Sequence, residues 1–236
     1  MGVSGLVTQT QLTILTINLF NDRVNATALD QVLEETRPDV VAAQELGPVA
    51  AGVLERHLSH GYLRPQSDYD GMGLATNFAV DAEEIDTPAP RAIAASIAGD
   101  KGVGRAFAGL KLMSVRLPPP LTRAWVRTRS RYTEILVEQS ASHHGPLCML
   151  GDLNATPWWP VYRILTQGLQ DGARHGRRMV FPGGATWPAV FPILRIDHIL
   201  TRGLTASRVV PIRVAGTDHK GLLADVTAPE DGSRRL

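Results

Sequence analysis

The chain has 236 residues, of which 44% are hydrophobic and 20% charged, and its net charge is +1 at pH 7. This composition is typical of a globular protein, and we expect one domain over 1–236 with a core at about 11–227. The near-neutral charge argues against a protein that coats nucleic acid, although a local basic groove remains compatible with it. No apolar run has membrane-spanning length and 1–10 lacks a secretory signal, so we expect a soluble, cytoplasmic protein.

The first third of the chain alternates strand and helix patterns. Apolar periodicity predicts strands over 12–19 and 40–43 and helices over 26–35 and 49–58. The first strand ends near Asn18, and the second ends in Gln44-Glu45. This order of elements indicates an α/β protein.

The middle of the chain predicts further strands and one long helix. Turn-forming residues fill 62–73, strands are predicted over 91–97 and 107–117, and an amphipathic helix is predicted over 122–142. The first half of this helix contains Arg123, Arg127, Arg129 and Arg131. These arginines form either a solvated helix face or a basic flank for a phosphate backbone, depending on where the helix lies.

The central motif is Gly151-Asp152-Leu153-Asn154, which follows the apolar run 146–150. A strand that ends this way presents a carboxylate and an amide two residues apart on one face. Taken alone, such residues also cap ordinary turns. The run includes the single cysteine, Cys148, which excludes an internal disulfide and is expected to behave as a small hydrophobic residue.

The last third predicts a helix over 161–169, a basic loop over 172–184 with Arg174, Arg177 and Arg178, and two Asp-His pairs beside strand ends. Across the chain, the polar groups at strand-to-loop junctions are Asn18, Glu45, Asp152, Asn154, Asp197, Asp218 and His219. Such carboxylates and amides suit Mg²⁺, which prefers oxygen ligands and can neutralise a phosphoryl group. There is no zinc-type Cys and His spacing and no phosphate-binding Gly-Lys loop. The sequence therefore predicts a hard-cation site that acts on phosphate.

Five motifs in order resemble the endonuclease/exonuclease/phosphatase superfamily: Asn18, Gln44-Glu45, Gly151-Asp152-Leu153-Asn154, Ile196-Asp197-His198 and Thr217-Asp218-His219. The resemblance implies a DNase I-like fold, a four-layer sandwich of two packed mixed β-sheets flanked by helices. It also implies hydrolysis of a phosphate ester by an activated water with Mg²⁺, or alternatively Mn²⁺.

The resemblance further implies a role for each site residue. Glu45, Asn18 and Asp218 would hold the metal. Asp152 would orient or deprotonate the water, and Asn154 would hold a phosphoryl oxygen. His219 would contact the scissile phosphate, with Asp197 as its orienting carboxylate. His198 would point to the other side of the strand and be structural.

One position departs from the superfamily pattern, because Arg116 stands where many members have a histidine at the end of a middle strand. A guanidinium can bind phosphate bidentately but cannot act as a general acid, so we assign Arg116 to substrate binding, together with Arg123 and Arg127. The favoured substrate is a nucleic-acid phosphodiester, with DNA as one candidate, and we expect a monomer. A phospholipid or sugar phosphate, or a catalytically inactive binding module, remains an alternative.

Overall fold

The computed structural model describes residues 10–97, 103, 105–175 and 184–228. The strands in these ranges are β1 (Gln11–Asn18), β2 (Val40–Gln44), β3 (His60–Arg64), β4 (Met72–Thr76), β5 (Asp81–Ile85), β6 (Ala92–Ser96), β7 (Lys111–Arg116), β8 (Leu147–Asp152), β9 (Gln170–Asp171), β10 (Asp197–Arg202), β11 (Thr205–Ile212) and β12 (Gly221–Thr227). The helices are α1 (Ala26–Thr36), α2 (Pro48–His57), α3 (Arg123–Ser142), α4 (Pro160–Leu165) and α5 (Gly172–His175), with a 3₁₀ turn at Arg105–Phe107. None of these helices is both long enough and apolar enough to cross a bilayer.

The strands form two six-stranded mixed sheets. The first has the order β11-β12-β1-β2-β4-β3, and the second has the order β5-β6-β7-β8-β10-β9. β1 pairs with β2 in parallel, as β7 does with β8, and both pairs lie in the middle of their sheets. Their neighbours β12, β4, β6 and β10 run antiparallel to them.

Three apolar clusters hold the sheets and helices in four layers. The cluster between the sheets takes alternate residues from both of them, such as Ile14 and Leu150. The opposite face of the first sheet, which includes Leu15, packs on α1 and α2. The opposite face of the second sheet, which includes Met149, packs on α3 and α4. This helix–sheet–sheet–helix order confirms the predicted four-layer sandwich.

The edge strands of the two sheets, β3, β5, β9 and β11, were not predicted from the sequence, and neither was β12, which lies inside the first sheet. β5 has the sequence DAEEI and only its last residue is buried, so it carries no apolar run that would mark it. The region 62–73, predicted as turns, contains most of β3, which is likewise exposed or half-buried. Edge strands contact a neighbour on one side only, and their polar composition reflects that position.

Several predicted boundaries were also wrong. β7 begins at Lys111, after the 3₁₀ turn, and not at residue 107. α4 ends at Leu165, four residues before the predicted end at residue 169. In contrast, α3 begins as predicted, because the Thr122 side chain accepts a hydrogen bond from the Trp125 N–H and caps the helix. Of the basic loop predicted over 172–184, Arg177 and Arg178 lie outside the described residues.

Candidate active site

Polar side chains reach one end of the layer between the sheets because strand side chains alternate between faces. On β8, Cys148 and Leu150 belong to the inter-sheet core, so Asp152 faces the same layer at the end of the strand. The same alternation places Asn18 at the end of β1 and Arg116 at the end of β7. The apolar layer thus ends in charged and amide groups from both sheets.

Asp152 lies at the centre of this end. Arg116 is its register partner on β7, and Asp197 is its register partner on β10. Its carboxylate accepts hydrogen bonds from the Asn154 backbone N–H at 2.7 Å and from the Asn154 Nδ2 at 2.9 Å. The Asn18 Nδ2 donates to it from the other sheet at 3.3 Å.

The environment of Asp152 raises its pKa to about 6, mainly because burial disfavours the charged carboxylate. The negative Asp197 also raises the pKa, whereas the positive His219 and Arg116 oppose the rise. Asp152 therefore ionises near neutral pH, which is the range in which a carboxylate can accept a proton from water.

The backbone explains why the motif reads Gly-Asp-x-Asn. Gly151 has φ +149°, and a Cβ there would lie 1.9 Å from the Val115 carbonyl oxygen on β7, so only glycine fits. Asn154 has φ +45°, a left-handed conformation that asparagine tolerates better than most residues. The two residues bring the strand close to its neighbour and then fold the Asn154 amide back onto Asp152.

Glu45 follows β2 with φ +50°, a strained conformation for a glutamate of the kind that clusters at functional sites. Its Oε1 accepts a hydrogen bond from the Asn18 Nδ2 at 3.1 Å and forms an ion pair with Arg116 at 2.6 Å. The Arg116 guanidinium also donates to the Tyr69 carbonyl oxygen at 3.1 Å. Arg116, where the resemblance led us to expect a histidine, thus places a cation directly against Glu45.

The His219 ring lies opposite Asp152 and pairs with Asp197 through Nδ1 and Oδ2 at 2.9 Å. Burial of the ring opposes its charged form, but the Asp197 carboxylate outweighs that effect and raises the pKa of His219 to about 10. Asp152 and Asp218 add to the rise. His219 is therefore an imidazolium at neutral pH.

Asp218 is half-buried beside this pair. Its Oδ2 accepts a hydrogen bond from the Trp187 Nε1 at 3.4 Å, and its carbonyl accepts one from the Ala189 N–H at 2.7 Å. The loop that contains Trp187 and Ala189 is thereby fixed against the Asp218-His219 end of the site.

The donor groups fit a divalent cation that prefers oxygen. Asp152, Asp197 and His219 offer atoms within 4.8 Å of one another. His219 is a poor ligand, because its Nδ1 is bonded to Asp197 and its ring is charged. The Oε2 of Glu45 and the Oδ1 of Asp218 are better suited, since both are buried and accept no hydrogen bond from the described part of the chain.

The predicted basic helix face is not uniform. Arg123 and Arg127 are exposed near the start of α3. Arg129, which was grouped with them, is only 3% exposed, and its Nη1 donates a hydrogen bond to the Pro118 carbonyl oxygen at 2.5 Å. Its guanidinium also lies 5.9 Å from the centre of the Trp159 ring. Arg129 therefore supports the loop after Asp152 and is part of neither a solvated face nor a basic flank.

A buried polar network next to β10 was not predicted from the sequence. Arg195 pairs with Asp171 at 2.6 Å, and the Tyr162 hydroxyl donates to the same carboxylate at 2.5 Å. The Tyr162 ring lies 4.9 Å from that of His198, which bonds to the Ala155 carbonyl oxygen. Burial and the positive Arg195 lower the pKa of His198 to about 4, so its ring is neutral. Of the residues in this network, only His198 was assigned from the sequence, as a structural residue.

Comparison with known proteins places this geometry in context. The Endonuclease/Exonuclease/phosphatase family model matches residues 15–219. A functionally unknown conserved protein from Enterococcus faecalis is 14% identical with a TM-score of 0.72, covering 92% of this chain and 100% of that one. An endonuclease/exonuclease/phosphatase from Bacteroides vulgatus is 17% identical with a TM-score of 0.71, covering 94% of this chain and 100% of that one.

Another structure with the same fold is D. rerio TDP2 complexed with single-strand DNA product, which is 19% identical with a TM-score of 0.67 and covers 92% of this chain and 99% of that one. No curated protein sequence matches the chain. The matched family consists of phosphoester hydrolases, which confirms the predicted enzyme class. Its model spans most of the sequence, including each of the five motifs from Asn18 to His219. The chain therefore belongs to the endonuclease/exonuclease/phosphatase family.

Proposed function

We propose that the protein is a metal-dependent phosphodiesterase that cleaves nucleic acid, with DNA or RNA as the substrate. The observation that carries this proposal is the meeting of Asp152 with the Asp197-His219 pair within 4.8 Å at the end of the inter-sheet layer. A carboxylate that ionises near neutral pH thereby lies beside an imidazolium whose pKa is raised to about 10. This is an arrangement suited to activating water against a phosphate.

Asp152 is the proposed base that orients and deprotonates the attacking water. Its pKa of about 6 leaves it ionised at pH 7 and above, while still close enough to neutrality to accept a proton. Asn154 is proposed to hold a phosphoryl oxygen. Its Nδ2 donates to Asp152 and to the Leu117 carbonyl oxygen, so it exchanges one of these bonds when substrate binds.

His219 is proposed to contact the scissile phosphate as a cation. Asp197 fixes the ring orientation through Nδ1, which leaves Nε2 as the atom that can donate to a phosphoryl oxygen. Because His219 and Asp197 are both buried, solvent weakens the attraction between the His219 cation and the phosphate only a little.

Glu45, Asn18 and Asp218 are the proposed ligands of Mg²⁺, with Mn²⁺ as an alternative. Such an ion neutralises charge on a phosphoryl oxygen and on the leaving oxygen. Asn18 turns its Nδ2 toward Glu45, while its Oδ1 accepts the Phe20 N–H at 3.1 Å. Glu45 and Asp218 therefore offer the freer oxygens, and Asn18 also orients Glu45.

Nucleic acid is the favoured substrate on the basis of charge. Arg116 lies at the end of β7 beside the other site residues, and Arg123 and Arg127 are exposed on α3. All three are proposed to bind substrate. The similar TDP2 structure holds a single-strand DNA product, which supports this substrate class. A monomeric state, a single domain and a cytoplasmic location stay predictions.

A phosphodiester presented by a lipid surface is the second candidate, because the loop beside Asp218 is apolar and exposed. Val190, Phe191 and Ile193 are 79%, 76% and 64% exposed. Exposed apolar residues in such a cluster are typical of contacts with partners or membranes.

Hydrolysis of bis(p-nitrophenyl) phosphate and of p-nitrophenyl phosphate, with and without Mg²⁺ or Mn²⁺, tests the reaction class. We expect metal-dependent hydrolysis of the diester, and loss of that activity in Asp152→Asn. Hydrolysis of the monoester alone would assign a phosphatase, and diester hydrolysis that survives Asp152→Asn would remove Asp152 from its role.

A further inference from the structure

A groove of about 460 Å³ opens on the surface beside the catalytic loop. It is lined by Pro157, Trp158, Tyr162, Arg163, Thr166 and Arg174. The groove begins three residues after Asn154, and a chain advances at most about 3.6 Å per residue, so Pro157 lies within about 11 Å of Asn154. A strand whose scissile phosphate lies at Asn154 can therefore reach the groove with a nearby nucleotide.

The walls of the groove are cationic. Arg163, in the last turn of α4, and Arg174, in α5, are both exposed. Within the described ranges, neither forms an ion pair. Two unpaired guanidiniums on one small groove are complementary to phosphate, which they bind in a fixed fork geometry.

Trp158 provides the apolar wall and is 82% exposed, although a tryptophan side chain contributes a large apolar area when buried. Its neighbour Trp159 is held against Arg129 on α3. The loop is therefore anchored by one tryptophan and presents the other to solvent. An exposed aromatic ring beside cations is the combination that stacks unpaired bases.

The floor of the groove is rigid and connected to the catalytic strand. Tyr162 is 1% exposed and bonds to Asp171, which pairs with Arg195 two residues before Asp197. The groove is thus built on the same buried network that supports β10. By contrast, a larger depression of about 680 Å³ includes Glu34, Glu35 and Arg37 and lies at the other end of the first sheet, where β2 begins.

We propose that this groove binds one nucleotide of a single-stranded nucleic acid, with Trp158 stacked on the base and Arg163 and Arg174 on the adjoining phosphate. This inference rests on the proposed function for its substrate class, and it adds the strand form and the residues that select it. A duplex keeps its bases stacked on one another, so it offers no free base face to Trp158.

The test is fluorescence anisotropy with a labelled single-stranded oligonucleotide, in chelator so that no turnover occurs. We expect Trp158→Ala to weaken binding by about 5- to 150-fold, the effect of losing one stacked base, and Trp158→Phe to restore much of it. We expect Arg163→Ala combined with Arg174→Ala to lower the slope of log K against log salt by about 1.4, the value for two single-strand phosphate contacts. The charge-matched control is Arg56→Ala combined with Arg208→Ala, two exposed arginines on the other sheet and its helices.

An oligonucleotide with abasic linkers and the same number of phosphates separates the two contacts. It should lose the dependence on Trp158 and keep the dependence on the arginines. Affinities are compared only among variants whose thermal unfolding temperatures match that of the wild type. Equal weakening by the control pair, or unchanged affinity in both groove variants, would overturn the proposal. Groove-dependent binding to anionic phospholipid vesicles without oligonucleotide binding would assign the groove to a lipid headgroup instead.

The outcomes separate this inference from the proposed function. If the protein binds oligonucleotide through the groove but hydrolyses no diester, the proposed phosphodiesterase activity is refuted and the proposed groove stands. Asp152-dependent diester hydrolysis, with oligonucleotide affinity unaffected by the groove substitutions, would refute the groove alone.

Discussion

The charge state of His219 depends on Asp197, and Asp197→Asn tests that dependence. In the wild type the pKa of His219 is about 10, compared with an ordinary value of 6.5. Without the Asp197 charge and hydrogen bond, burial of the ring opposes the smaller effects of Asp152 and Asp218, and we expect the pKa to fall to about 6.5 or below. At pH 8 the protonated fraction then falls from about 99% to about 3% or less, and we expect activity to fall about 30-fold or more.

The assay has two parts. Nitrogen-detected NMR titration of the metal-free protein measures the pKa of His219 directly, with the resonance identified by comparison with His219→Gln. The pH dependence of diester hydrolysis should show its basic limb near pH 10 in the wild type and at or below about pH 6.5 in Asp197→Asn. Asp218→Asn is the matched control, and it should shift the pKa less, because Asp218 contributes less to the rise than Asp197 does.

The sign of the stability effect follows from the same shift. The pKa of His219 is higher in the folded state, about 10, than in the unfolded state, about 6.5, so its protonation stabilises the fold. This contribution is complete below pH 6.5 and is lost as pH rises through 10. The loss of unfolding free energy in Asp197→Asn should therefore be largest below pH 6.5. A His219 pKa that stays near 10 in this variant would refute the reasoning.

The acidic limb of the pH–rate profile and three further sets of substitutions have defined outcomes. The acidic limb of the pH–rate profile should lie near pH 6, where Asp152 ionises, and a limb near pH 4 would contradict the effect of burial. Because the ionised Asp152 is unfavourable in the fold above that pH, Asp152→Asn should gain stability relative to the wild type between pH 4 and pH 8, by up to about 3 kcal/mol in urea unfolding. Arg116→Gln removes the ion-pair partner of Glu45, so it should lower the unfolding temperature in chelator. It should also tighten Mn²⁺ binding, measured by calorimetry, about tenfold or more. Weaker Mn²⁺ binding would show instead that the guanidinium supports the metal site. Arg123→Ala with Arg127→Ala should flatten the salt dependence of nucleic-acid binding, and an unchanged slope would make α3 a solvated face.

The central part of the fold could be predicted because buried strands carry a periodic apolar signal. Asn18 and Asp152 could be placed at strand ends by alternation alone, and the structure brings them within 3.3 Å across the two sheets. The edge strands could not be predicted in this way, since β5 and β3 contact one neighbour each and remain polar.

The interactions within the site depend on tertiary geometry that no local pattern contains. The left-handed conformation of Glu45 is unusual for a glutamate and is imposed by the surrounding loop. Its ion pair with Arg116 joins residues from different sheets that are 71 positions apart. Arg129 reads as part of a surface charge cluster, and only the packing of α3 on the second sheet shows that it is buried. Side-chain partners over such separations follow from the assembled fold and not from residue spacing.

The most direct test of the proposed chemistry is nicking of supercoiled plasmid by the purified protein with Mg²⁺ or Mn²⁺, alongside chelator and Asp152→Asn controls. We predict nicking that requires the metal and is lost in the variant, whose thermal unfolding shows that it is still folded. Nicking that persists in folded Asp152→Asn, or in chelator, would contradict the account. So would absence of both nicking and metal binding by the wild type.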